Sequence, residues 1–147
     1  MVYLWYRLEI LEGAMEKEKA EVIIPMDLEN PPKEHEIEAA WIVAKHYQCK
    51  ITFLKPVVGY KIKTPDFEMH GLYWECKSPT SNSRKRCVKR QIDNALAQSK
   101  NIIFDARRTK LEDEFLIAQL FVEIQKRHSI NKLIFITKNS NPIVLKK

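Results

Sequence analysis

The sequence predicts one mixed α/β domain of α+β type, a central mixed sheet flanked by helices. Three observations carry this. Short apolar runs with strand-like alternation interleave with longer runs of helical period. The 147 residues, 45% of them hydrophobic, suffice for a single core. No internal repeat or low-complexity tract divides the chain into units.

The predicted order is α-β-β-β-α-β-α-β. Residues 1–33 read as an N-terminal extension, 34–108 as the core, and 109–147 as a C-terminal helix and strands of the same domain. In the extension, "EVIIPM" is a candidate short strand and "ENPPKEH" a linker. Ile37, Ala40, Trp41 and Ala44 then fall at i, i+3, i+4 and i+7, so residues 34–47 form an amphipathic helix. "CKITFL" gives a strand near 50–54, and "PVVGYKIK" a loop. Residues 65–69 and 72–77 are two extended runs around His70-Gly71, a hairpin signature. Val88, Ile92, Ala95, Leu96 and Ser99 share one face and predict a helix over 84–99. "NIIFDA" is a short buried strand, "KLEDEFLIAQLFVEIQKRHS" a second long helix, "KLIFIT" a strand and "PIVLK" a candidate edge strand.

Composition narrows function. The formal net charge of +6 and the pI of about 9.2 point to a polyanionic partner such as nucleic acid. Three cysteines without CxxC spacing argue against a disulfide framework or zinc knuckle and fit a reducing interior. The apolar opening "MVYLWYRLEIL" is short and interrupted by Arg7 and Glu9, so neither a signal peptide nor a membrane span is expected. His35, His46, His70 and His128 are scattered without zinc spacing, and three glycines leave no phosphate-cradling loop. Trp41, Phe53 and Trp74 read as core aromatics.

The hairpin carries the candidate chemistry. With a tight His70-Gly71 turn, Met69 opposes Leu72, Phe67 opposes Trp74 and Asp66 opposes Glu75. A loop of odd length would set Asp66 against Trp74 instead. In the first register Asp66, Glu75 and Lys77 share one face, while Phe67, Trp74 and Cys76 share the other. Opposed carboxylates repel, and a divalent cation is one compensation. Lys77 beside them could stabilise charge on a phosphate or a nucleophile. A plain surface hairpin with a Glu–Lys ion pair is the competing reading.

Pro65-Asp66, eight residues, then Glu75-Cys76-Lys77 resembles the motif of the PD-(D/E)xK nuclease superfamily. The wider stretch "HEIEAAWIVAKHYQCKITFL", "KTPDFEMHGLYWECKSPT" and "IDNALAQSKNIIFDARR" is similar to the C-terminal nuclease domains of contact-dependent growth inhibition and related polymorphic toxins. The resemblance implies a restriction-endonuclease-like core and a Mg²⁺- or Mn²⁺-dependent nuclease, with tRNA the first expected substrate and DNA the second. It implies Asp66 and Glu75 as metal ligands, Lys77 as the catalytic lysine, and Glu36, or else Glu38, as the helix carboxylate. Gln98, Arg107 and Arg108 would line the cleft, with Asp105 as an alternative structural partner for the arginines. A toxin also implies a cognate immunity protein, no membrane insertion by this domain, delivery, and action in a bacterial cytoplasm. A catalytically inactive binding domain on the same fold is the remaining alternative.

"SRKRCVKR" places Arg84, Lys85, Arg86, Lys89 and Arg90 just beyond Lys77. These read as phosphate contacts or as a solvated helix face. Cations at a helix N-terminus oppose its dipole, a local cost that suggests use.

Overall fold

A computed structural model describes residues 19–26, 29–56 and 63–147. Its elements are β1 (Glu21–Ile23), α1 (Glu34–Tyr47), β2 (Lys50–Phe53), β3 (Phe67–Met69), β4 (Leu72–Lys77), α2 (Cys87–Leu96), β5 (Asn101–Asp105), α3 (Asp113–Lys126), β6 (Lys132–Ile136) and β7 (Pro142–Lys146). The two candidate strands, "EVIIPM" and "PIVLK", thus join the sheet as β1 and β7. The opening "MVYLWYRLEIL" and most of the "PVVGYKIK" loop lie outside the described residues.

The seven strands form one mixed sheet in sequence order, β1 to β7. β2, β3 and β4 are an antiparallel meander, β4, β5 and β6 run parallel, and β7 returns antiparallel. Parallel neighbours need crossovers, and α2 and α3 supply them. β5 is buried throughout because helices cover both its faces. Ile103 packs with Ile51, Phe67, Trp74 and α1 on one side. Ile102 and Phe104 pack with Val88, Ile92, Leu116 and Leu120 of α2 and α3 on the other.

Two expectations need correction. The helix expected over 84–99 spans only Cys87–Leu96; Arg84 and Lys85 precede it, and Ser99 turns its hydroxyl to the Tyr73 carbonyl at 2.7 Å. Trp41 is not a core residue. It stands 37% exposed on the outer side of α1, with Lys45 Nζ 5.6 Å from its ring centroid. Helical period places it next to buried Ala40 but one step around the helix toward solvent.

Candidate active site

The hairpin turn places both central residues at positive φ, His70 at 53° and Gly71 at 73°. A two-residue turn of this kind matches the twist of the flanking strands. Met69–Leu72 and Phe67–Trp74 pair as expected. Buried Trp74 spends its indole N–H on the Met69 carbonyl at 3.2 Å. The pairing stops there, one step short of the expected Asp66–Glu75 pair. Asp66 N–H donates to the Trp74 carbonyl at 3.0 Å, and Cys76 N–H donates to Asp66 Oδ2 at 2.8 Å. The carboxylate of Asp66 is thus folded across β4 rather than set squarely opposite Glu75.

Glu75 and Lys77 nevertheless share a face with each other, because their ladder partners on β5 are Ile102 and Phe104. Glu75 is 1% exposed, and Lys77 Nζ lies 3.5 Å from its Oε2. That is an ion-pair distance but too long for a good hydrogen bond. Among the described residues, Oε2 is buried without a hydrogen-bond partner. Burial pushes the Glu75 carboxyl up to about 9; its hydrogen bond with Asp66 and the Asp66 charge push the same way, and Lys77 opposes them. Near neutral pH Glu75 therefore keeps its proton and shares it with Asp66. Burial, reinforced by the Asp66 and Asp105 charges, raises the Cys76 thiol well above its usual range, so Cys76 is no thiolate nucleophile.

Glu36 approaches from α1. Its carboxylate accepts the Lys33 N–H at 2.8 Å, closing the start of the helix. It also lines a cleft of about 330 Å³ together with Asp66, Phe53, Pro31 and Pro65. Glu38 is turned elsewhere and pairs with Arg107 Nη1 at 3.0 Å. Of the two helix carboxylates, Glu36 is the one that shares a cleft with Asp66. Among the described residues, no group of three or more His, Cys, Asp or Glu side chains gathers closely enough to hold a metal ion. The carboxyl cluster is thus the pair Asp66 and Glu75, with Glu36 across the cleft.

The residues after β5 divide sharply. Arg107 grips fully buried Asp105 with Nε and Nη2, both at 2.9 Å, and donates Nη2 to the His35 carbonyl at 3.0 Å. Asp105 also accepts the Ser78 hydroxyl at 3.0 Å. Together with Glu38, this network ties α1 to the ends of β4 and β5. Sequence reasoning placed Arg107 in the cleft as a phosphate contact; its guanidinium is occupied by protein groups. Arg107→Met is expected to cost about 3 kcal/mol in urea unfolding, because it strands a buried carboxylate. Lysine should not restore the loss, since the grip is bidentate. The alternative of Asp105 as structural partner holds for Arg107, while the Ser78 and Glu38 contacts that complete the network carried no sequence signal.

Residues 63–141 match the contact-dependent growth inhibition CdiA C-terminal domain. The chain belongs to that family of toxin domains. The matched span holds Asp66, Glu75, Lys77, Arg107 and Arg108, while Glu36 and the rest of α1 precede it. This CdiA C-terminal domain is also similar in fold to a solved CdiA-CT/CdiI toxin and immunity complex from Burkholderia pseudomallei, with a TM-score of 0.56 and 16% identity. That likeness covers 86% of this chain and 99% of the other. No curated protein matches. Among the described residues of this domain, no helix is long and apolar enough to cross a membrane.

The basic segment of the domain sits at the start of α2, on the sheet face that carries Glu75 and Lys77. Arg84 pairs with Glu112 at 3.0 Å and lies over the Phe115 ring. Lys89 pairs with Asp93 at 3.0 Å, and Asp93 is shared with Arg127. Arg86, Lys89 and Arg90 line a shallow cleft with Asp93, and Lys85 is exposed. Gln98 is not brought to the site. It follows α2 beside Ser99, which bonds to Tyr73 near the start of β4, and Lys77 closes the other end of that strand.

Proposed function

We propose that this toxin domain is a divalent-metal-dependent endonuclease that hydrolyses phosphodiester bonds in RNA, with tRNA the first candidate substrate. The observation that carries the reading is the buried Glu75 Oε2, without a hydrogen-bond partner among the described residues, on a side chain that also meets Asp66 and Lys77. Native proteins rarely leave such an atom orphaned, and a hard cation is a ready partner for it. Two carboxylates suffice for Mg²⁺ or Mn²⁺, which retains waters and takes substrate oxygens besides. Asp66 and Glu75 would hold the ion, and Glu36, which lines the cleft it shares with Asp66, would help directly or through water. When bound, the ion would supply Lewis acidity toward the phosphate and a water of lowered pKa.

The chain's own residues do the rest. Glu75 would hold the ion as a carboxylate, its proton released to solvent. Asp66 is held in place by the Cys76 N–H. Lys77 presents an ammonium at the end of β4, where it offsets negative charge on the reacting phosphate or orients the attacking oxygen. Arg86, Lys89 and Arg90 would hold the neighbouring phosphodiester backbone on the same face of the sheet.

As a toxin domain it would act in the cytoplasm of a target bacterium after delivery. It would be neutralised by a cognate immunity protein whose acidic surface covers this basic cleft. The test is incubation of purified protein with tRNA and with plasmid DNA, each in Mg²⁺ and in EDTA. Cleavage of tRNA in Mg²⁺ and none in EDTA is expected. Cleavage confined to plasmid would assign a DNA endonuclease, and cleavage that persists in EDTA would remove the metal from the mechanism.

A further inference from the structure

We infer that His35 is a positioning residue that aims Arg108 at a substrate phosphate beside Lys77, an inference that rests on the nucleic-acid reading above. Arg107 and Arg108 are neighbours with opposite fates. Arg107 is neutralised by Asp105 and Glu38. Arg108 is exposed and meets no carboxylate among the described residues. Its Nη1 stands 2.9 Å from His35 Nε2 and donates to the Ser78 carbonyl at 3.4 Å. Its Nε and Nη2 make no hydrogen bond among the described residues. That leaves open the forked edge of the guanidinium, the edge that grips phosphate oxygens in pairs.

Arginine can only donate, so His35 Nε2 must accept and the imidazole is neutral with its proton on Nδ1. A neutral acceptor fixes the direction of Arg108 without cancelling its charge. His35 is itself fixed, because Arg107 holds its backbone carbonyl in the first turn of α1. The place is also right. Ser78 directly follows Lys77, and Arg108 lies just beyond β5, at the carboxyl ends of parallel strands where α/β sheets commonly take ligands.

The experiment measures binding of a short labelled single-stranded RNA, and of the same sequence as DNA, to the Lys77→Ala protein in EDTA, so that nothing is cut. Adding Arg108→Ala should weaken binding by about tenfold and lower the salt slope by about one. His35→Ala should weaken it by less, and His35→Gln, which keeps an acceptor, should recover most of the loss. The decisive variant is His35→Glu. A carboxylate at that position neutralises Arg108, so binding should fall as far as in Arg108→Ala while the melting temperature holds or rises. A purely structural His35 would give the opposite pattern, with melting lowered and binding untouched. Binding by His35→Ala and His35→Glu equal to the parent overturns the inference whatever Arg108→Ala does. Wild-type cleavage is measured separately. Cleavage with unaffected His35 and Arg108 variants leaves the nuclease and removes this role; affected binding without any wild-type cleavage does the reverse. Absence of both binding and cleavage removes both.

Discussion

Replacing Lys77 with alanine is expected to lower the rate of phosphodiester cleavage by about 10³-fold while the domain stays folded. The two halves of that expectation have separate causes. Lys77 closes β4, its side chain is 20% exposed, and its one ion-pair contact among the described residues is Glu75 at 3.5 Å. Glu75 already carries a proton near neutral pH, so removing the lysine strands no buried charge, and the fold loses little. The reaction loses much more, because a fixed ammonium in a partly desolvated position is worth several kcal/mol to a developing anion. Lys77→Arg should recover little, since a planar fork cannot reproduce a compact point charge at the end of the strand. The measurements are single-turnover cleavage of tRNA in Mg²⁺ and the urea midpoint in the same buffer. A rate within about threefold of wild type, which is under 1 kcal/mol of barrier, would take Lys77 out of the chemistry.

How legible this site was depends on the range of the interaction concerned. Hairpin register was readable because two local constraints agree. His70-Gly71 admits the positive φ values of a tight turn, and the alternation of Phe67, Met69, Leu72 and Trp74 allows one burial pattern. Helix α1 was readable to its ends because Pro31 and Pro32 precede it and its apolar stripe is continuous. The end of the ladder was not readable. Asp66 leaves the pairing to cap the Cys76 N–H, and nothing in an alternating pattern signals that a carboxylate will choose a backbone donor. Which of Arg107 and Arg108 would take Asp105 was equally hidden. They are adjacent and identical in type, and what separates them is that α1 brings Glu38 and the His35 carbonyl to one and the His35 ring to the other. Gln98 fails for a simpler reason. The family resemblance of "QSKNIIFDARR" implied the cleft, but β5 runs its whole length between Gln98 and Arg107 and sends them to opposite ends of the sheet.

Glu75→Gln should make the metal-free protein more stable and abolish its activity, and the stability gain should grow with pH. The sign follows from proton counts. Glu75 titrates at about 9 in the folded chain against an ordinary 4.5, so between those values the folded state holds a proton that the unfolded state has released. Stability from that proton is fully present below about 4.5 and is lost as pH rises through about 9, with a slope of at most about 1.4 kcal/mol per pH unit. Glutamine keeps the shape and a donor toward Asp66 but cannot ionise, so its stability lacks this decline. In EDTA the two proteins should unfold at similar urea concentrations near pH 5 and diverge toward pH 9, with the variant ahead. Addition of Mg²⁺ reverses the comparison at pH 8, because the wild type gains a ligand-linked rise in melting temperature and the variant, lacking the carboxylate, does not. Parallel pH profiles in EDTA would mean that Lys77 already holds Glu75 ionised in the free protein. The orphaned oxygen would then be an ordinary buried ion pair, and the argument for a cation at that place would go with it. If the profiles diverge as expected, a neutral isostere serves the fold better than the native residue does. Glu75 then owes its place to what it does when it gives up its proton.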